Sequence, residues 1–304
     1  MKINFINWNK FQIQNQQEKI DFVFYIDNEQ VNTNYEGDGI YSFNYVNELL
    51  GCKSYVIYNN EEIVVSNELL PMLDDFDDLY FYDGELGSKY FKDHTEFKLW
   101  APLAHKVILN IDNNHYELQR DLKGVFSLTL SGNFDGSLYD YTIYRDDLEI
   151  TSIDPYGKSS NANGLKSAVI NFEKTKINLN SDKLPKFNNY INAIIYEGHV
   201  RDLTISSKTN IKNKGKFVGL TEKDAKTVKN NPFGLSYLKD LGITHLQLLP
   251  VLDYGSVNEL EGGEYNWGYD PIQFFTLDLI QMIRTQEFKN SRNSFLQCMK
   301  MALE

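Results

Sequence analysis

Between Thr95 and Ile143 apolar side chains recur at alternate positions in four successive runs: Phe97 and Leu99; Val107, Leu109 and Ile111; Phe126, Leu128 and Leu130; Tyr139, Tyr141 and Ile143. A period of two places each set on one face of an extended chain, which a helix with 3.6 residues per turn cannot do. The runs are separated by Asp112-Asn113-Asn114, Leu122-Lys123-Gly124 and Asn133-Phe134-Asp135-Gly136, rich in residues that enter tight turns at low steric cost. The pattern predicts an antiparallel β-sandwich over residues 86–180.

The flanking stretches obey other rules. Residues 1–85 carry short β-like runs, Phe22–Ile26, Ser54–Tyr58 and Glu62–Val65, and close on the acidic passage PMLDDFDDLYFYDGELG, read as a linker after a mostly β N-terminal domain. Beyond KLPKFNNY the period changes. NAIIYEGHVRDL reads as a buried strand, Leu235, Leu238 and Leu241 space a helix that stops at Gly242, and ITHLQLLP reads as a second buried strand. Strand, helix, strand is a βαβ beginning and implies a parallel sheet over residues 185–304. The expected fold class is therefore multidomain, with two β domains ahead of a βα region.

Composition narrows the partners. With a formal charge of -12 and a pI near 5.0, the chain has no basic footprint for nucleic acid or an anionic membrane, so a neutral ligand is expected. Lys212, Lys214 and Lys216 form only a short basic cluster, read as solvated loop. Cys52 and Cys298 give neither a disulfide framework nor metal-ligand spacing, and no metal or cofactor is expected. The N-terminus MKINFINWNK lacks the apolar core of a signal peptide, and no run has the length of a membrane span. These features predict a cytoplasmic protein.

Five segments, in order, carry a resemblance: YDGELGSKYFKDHTEFKLWAP, SIDPYGKSS, IIYEGHVRDLT, GLSYLKDLGITHLQLLPVLDYGSVNE and YNWGYDP. They resemble the type I pullulanases, α-1,6-glucan debranching enzymes of the α-amylase superfamily, over residues 80 to 275. The resemblance implies an N-terminal domain, a β-sandwich of the starch- and glycogen-binding, immunoglobulin-like type, and the first part of a (β/α)8 barrel. It implies an α-glucan partner: pullulan, glycogen, starch or a branched maltooligosaccharide. Gly198 occupies a strand position where the family commonly has a larger side chain, so looser local packing is expected.

The loop GGEYNWGYDP gathers the candidate site. Tyr265, Trp267 and Tyr269 offer aromatic faces to the C–H surface of a sugar, while Asn266 and Asp270 offer hydrogen bonds to its hydroxyls. By resemblance Tyr269 matches the tyrosine that stacks on sugar at the cleavage subsite, and Asp270 a residue that shapes it. Tyr265 and Trp267 have an alternative role as packing over a barrel mouth. His199, Arg201 and Asp202 lie where the same face is within reach, with a hydrogen-bonded structural role as the alternative. Trp100 is read as core or domain interface, His245 as structural, Glu261 and Glu264 as solvated, and residues 161–164 as a turn.

No catalytic residue is assigned. Retaining glycosidases need two carboxyl groups about 5 Å apart. In this superfamily they lie beyond the third barrel strand, on Asp-x-x-x-Asn-His, Arg-x-Asp and Glu-containing motifs that do not follow residue 270. A barrel takes about 250 residues, and residues 192–304 are fewer than half of that. RTQEFKN still resembles the helix after the second strand, but QCMKMALE does not continue it. Read one base out of frame, the codons of residues 297–304 permit Met-His-Glu-Asn-Gly-Ile-Arg, a family-like run that points to a frameshift and a truncated pullulanase. Three readings follow: a debranching hydrolase by descent, inactive as this chain; an α-glucan-binding protein; or an N-terminal half that assembles with a separately encoded C-terminal half.

Overall fold

The structure, a computed structural model, describes residues 1–45, 48–145, 148–175, 189–261 and 264–277. Cys298, RTQEFKN and the frame-shifted run at 297–304 lie outside the described residues. Two compact units are distinguished, one formed by Met1–Gly87, Glu96–Leu130 and Asp140–Ser152, the other by Ser88–Thr95, Ser131–Tyr139 and Ile153–Glu304.

The first unit begins with eight strands: β1 (Ile3–Asn7), β2 (Lys10–Ile13), β3 (Val23–Ile26), β4 (Glu29–Val31), β5 (Thr33–Gly37), β6 (Ile40–Phe43), β7 (Ser54–Tyr58) and β8 (Glu61–Ser66). They form one sheet in the order β4-β3-β7-β8-β1-β2-β6-β5. The β3–β4 and β7–β8 hairpins turn on Asp27-Asn28 and Asn59-Asn60, all four at positive φ, where a two-residue turn matches the strand twist. Alternation then buries one face. Phe5, Phe11, Phe24, Tyr41 and Phe43 converge there, with Phe11 and Phe24 ring centroids 4.8 Å apart and Phe5 edge-on to Phe11 at 6.4 Å.

The passage expected to be a linker is instead part of this core. It folds into a short helix, α1 (Phe76–Tyr80), and Tyr80 is buried against the sheet. Trp8 stacks on Tyr80 at 5.7 Å and donates its indole N–H to Asp75 at 2.6 Å. Acidic residues hid the apolar spacing of Leu70, Leu73, Phe76 and Tyr80, which is helical rather than linker-like.

The period-two region forms the expected sandwich strands: β9 (Gly87–Tyr90), β10 (His94–Trp100), β11 (Lys106–Ile111), β12 (Asn114–Glu117), β13 (Gln119–Arg120), β14 (Val125–Ser131), β15 (Leu138–Arg145), β16 (Leu148–Ser152) and β17 (Ser167–Ala168). One sheet runs β13-β14-β10-β9; the other runs β12-β11-β15-β16, with β17 also on β15. Phe97, Leu99, Val107, Leu109 and Ile111 are buried, as alternation requires. Leu128 and Leu130 are only partly so. On β15 the alternation fails for a polar reason: Asp140 and Thr142, on the opposite face from Tyr141, are buried too and accept hydrogen bonds from the Asn110 amide at 2.7 and 2.9 Å. Trp100 takes the packing role, with its indole N–H on the carbonyls of Tyr80 and Lys123.

The second unit carries the βα elements: β18 (Ile195–Gly198), α2 (Phe217–Leu220), α3 (Leu235–Leu241), β19 (His245–Leu248), β20 (Leu252–Tyr254) and β21 (Pro271–Leu277). β18 and β19 pair in parallel from Ile195↔His245 to Gly198↔Leu248, and α3 ends at Gly242 in the left-handed conformation. Both strands were expected to be buried, and neither is: Ile195 is 67% exposed, and His245 is exposed rather than enclosed. A parallel pair is covered only when helices and further strands lie on both faces. Gly198 is not loosely packed, since a methyl group there would stand 2.9 Å from Leu203 Cδ1. The architecture is mostly β, and no complete barrel is present among the described residues. No helix among them is long and apolar enough to cross a membrane.

Candidate functional site

β18 delivers His199, Arg201 and Asp202 to one side of the loop 264–270, and the β20–β21 ribbon delivers the other. His199 is buried, and burial pushes its imidazole below the ordinary histidine range. The neutral ring is fixed in one tautomer: Nδ1 accepts from the Arg201 amide at 3.0 Å, so Nε2 donates to the Asn266 carbonyl at 3.0 Å. Tyr265 lies over the same group. Its ring is 5.4 Å from His199 and 5.4 Å from the Arg201 guanidinium, and its hydroxyl donates to Asp202 Oδ2 at 2.8 Å.

The loop is held from within as well. The Asn266 amide donates to Ser256 Oγ at 2.6 Å and Asp270 Oδ1 at 3.0 Å, and its carbonyl oxygen Oδ1 accepts from the Gly268 amide at 2.6 Å. Asp270 Oδ2 accepts from the Ser256 amide at 3.0 Å, and the Ser256 and Asn266 hydrogen bonds hold this carboxyl below the ordinary aspartate range. Gly268 has φ +84, and a Cβ there would lie 2.4 Å from the Pro250 carbonyl oxygen. Only glycine permits that approach.

With the Asn266 and Asp270 side chains engaged in hydrogen bonds within the loop and to Ser256, Trp267 and Tyr269 face solvent, 62% and 64% exposed. Tyr265 is 44% exposed while one face of its ring lies over His199 and Arg201. Next to the loop a cavity of about 410 Å³ is lined by Tyr196, Glu197, His199, Asp202, Phe233 and Tyr237. Aromatic walls with a few carboxylates suit a neutral, hydroxyl-bearing ligand: rings cover its C–H faces and carboxylates accept its O–H groups. Glu261 and Glu264 are exposed, as expected of solvated residues. Among the described residues, no group of three or more His, Cys, Asp or Glu side chains is arranged to hold a metal.

Sequence reasoning missed the support beneath this loop. Residues 161–164 do more than turn: the Asn163 side-chain carbonyl accepts from the Glu259 amide at 2.7 Å, and the Asn163 amide donates to the Glu259 carboxylate. Ser160 donates to the buried Asp253 at 2.6 Å. Asp154 of SIDPYGKSS accepts from the Tyr139 hydroxyl at 2.6 Å and the Tyr156 amide at 2.8 Å. Ser167 receives the Gln273 amide at 3.2 Å, and Thr276 donates to the Gly157 carbonyl at 3.2 Å. The SIDPYGKSS segment thus anchors the ribbon that carries the loop. Polar residues at contiguous positions were the one available signal, but their partners lie roughly a hundred residues away.

Aromatic faces beside a cavity walled by rings and carboxylates are what a carbohydrate-recognising protein would present, and comparison with known proteins points the same way. Residues 85–157 match the family Carbohydrate-binding module 48 (Isoamylase N-terminal domain). The pullulanase of Bacillus subtilis (strain 168) is 38% identical over 206 residues, covering 66% of this chain and 28% of that protein. The crystal structure of pullulanase complexed with maltotetraose from Anoxybacillus sp. LM18-11 superposes with a TM-score of 0.86 at 29% identity, covering 99% of this chain and 45% of that one. The pullulanase of Paenibacillus barengoltzii in complex with maltohexaose and α-cyclodextrin gives a TM-score of 0.70 at 33% identity, over 75% of this chain and 38% of that one. The chain is thus similar to the N-terminal region of pullulanases, and it spans less than half the length of these relatives.

Proposed function

We propose that this chain is the glucan-recognising region of a glycoside hydrolase directed at α-1,6 branch linkages, and that by itself it binds α-glucan without cleaving it. An α-glucan-related function follows from the module match and the pullulanase similarity. The finer reading is carried by one observation: Trp267 and Tyr269 present open faces on a loop whose Asn266 and Asp270 side chains are engaged in holding it. A pre-ordered aromatic platform loses little entropy when it meets a sugar. No pair of carboxylates is assigned to acid/base and nucleophile roles, so no hydrolytic step is derived from these residues.

The test is a titration of the chain with maltotetraose, together with a pullulan digest. Tyr269→Ala is expected to weaken binding about fivefold, ~1 kcal/mol, the scale of a lost aromatic contact. The parent chain is expected to release no maltotriose from pullulan. Release of maltotriose that disappears on mutating a residue of this chain would overturn the non-cleaving part, and an unaltered Tyr269→Ala isotherm would overturn the placement of the platform.

A second reading draws on the exposed β18–β19 pair. Among the described residues this parallel pair has no further strand beside it, which favours assembly with additional βα units supplied by a separate C-terminal polypeptide. Co-expression with the catalytic part of a pullulanase tests it: restored pullulan hydrolysis supports the reading, and two polypeptides that elute apart and stay inactive refute it.

A further inference from the structure

The first unit contains a cavity of about 420 Å³ that shares no residue with the aromatic loop. Its wall is built from the β3–β4 turn at Asp27, the head of β7 at Cys52, Lys53 and Ser54, the end of β8 at Asn67, and Arg120 of β13. Ser54 and Asn67 are 3% and 5% exposed, yet Ser54 Oγ and Asn67 Oδ1 have no hydrogen-bond partner. Leaving such groups dry and unpaired costs about 1–3 kcal/mol each, so a folded protein seldom keeps two in one place without something to pair with them.

The charged groups of the wall are already engaged. Arg120 Nη1 donates to the Ala104 carbonyl at 2.7 Å, and Nη2 donates to the carbonyls of Leu50 at 2.6 Å and Pro102 at 3.1 Å. Lys53 Nζ meets Glu62 at 2.6 Å, while Asp27 Oδ1 accepts from the Lys53 amide at 2.7 Å. An anion therefore finds its natural partners occupied. A soft cation fares no better: burial pushes the Cys52 thiol up to about 12, with Asp27 adding to the shift, so the sulfur stays protonated. The unmet requirement is for hydroxyl or amide donors without net charge. The volume lies within the range of small-molecule sites.

We infer that this cavity is a second binding site, for a neutral polyhydroxyl ligand the size of a mono- or disaccharide, whose hydroxyl groups donate to Asn67 Oδ1 and pair with Ser54 Oγ. The inference rests on the proposed glucan function only for the choice of maltose as the probe.

Cys52 reports occupancy, because its half-buried thiol lines the same space. The full chain is alkylated with iodoacetamide, with and without maltose, and the rate at Cys52 is followed by peptide mass mapping, which separates it from Cys298. Maltose at about four times its Kd is expected to slow Cys52 alkylation about fivefold, as mass action on an occluded site requires. Asn67→Leu and, separately, Ser54→Ala should remove most of this protection, whereas Trp267→Ala and Tyr269→Ala should leave it intact. Should Asn67→Leu not fold, the smaller Ser54→Ala change decides. A Cys52 rate indifferent to maltose overturns the site, as does protection that survives both cavity variants. Failure of the aromatic-loop reading looks different: maltotetraose binding becomes insensitive to Tyr269→Ala while Cys52 protection persists.

Discussion

The N-terminal sheet and the β18–β19 pair are both made of short strands, yet one buries a shared apolar face and the other stays open to solvent. In the sheet, eight strands share one apolar face, and that face is closed by five converging aromatic rings and by the acidic passage folded over it as α1. In the parallel pair, two strands of four residues leave Ile195 and His245 exposed. What separates the two regions is how many neighbours each strand has, because apolar area stabilises only when it is removed from water.

Four experiments can break or sharpen this contrast. The largest effect is expected at Phe11, which contacts Phe5, Phe22, Phe24, Tyr41 and Phe43. Phe11→Ala should destabilise the first unit by about 4 kcal/mol in urea unfolding, the usual cost of deleting a buried ring. A loss below about 1 kcal/mol would mean that the sheet tolerates a void and is no better packed than the pair.

Arg120 comes next. Its guanidinium satisfies three backbone carbonyls of residues 50, 102 and 104, and its removal leaves them without that donor. Arg120→Met keeps the aliphatic bulk and should cost about 3 kcal/mol. If water replaces the guanidinium without penalty, the measured change will be close to zero, and the three carbonyls do not depend on Arg120.

Amide exchange compares the two regions directly. Amides of β1 and β2 should exchange only on global opening, whereas those of β18 should open for about 2 kcal/mol less, since few buried contacts hold them. Equal protection in both would show that the pair is covered in solution.

The smallest effect concerns Asp253, the fully buried central residue of β20. Burial, with a further push from Glu259 and opposed by Ser160, raises its carboxyl to about 6. Unfolded aspartate titrates near 3.9, so between about pH 4 and 6 the folded form holds more protons and stability falls as pH rises. Asp154, also raised by burial, adds a slope of the same sign. Asp253→Asn should flatten part of that slope, read as opening free energies of β20 amides corrected for intrinsic exchange. An unchanged slope would locate the titration elsewhere.

How much of this was legible before folding depended on the distance over which each signal acts. Alternation placed β10 and β11 and their buried residues correctly, and the Asn- and Asp-rich turns appear where they were expected. The α3 stop at Gly242 and the parallel β18–β19 pairing were also readable. All of these are local: side-chain period, turn chemistry and capping operate within a few residues.

The sequence by itself also determined which side chains form the candidate loop, since aromatic and polar residues alternate from Tyr265 to Asp270. It did not determine which of them face outward. That was decided by Ser256 and Asp270 taking the Asn266 amide, by His199 taking the Asn266 carbonyl, and by Pro250 crowding Gly268. The same holds for β15, where Asn110 made Asp140 and Thr142 buried residues, and for the supposed linker, where Trp8 captured Tyr80. In each case the deciding partner comes from another part of the chain. A polar group is spent or free, and a ring buried or open, only once the fold has brought its partner within hydrogen-bond or contact range.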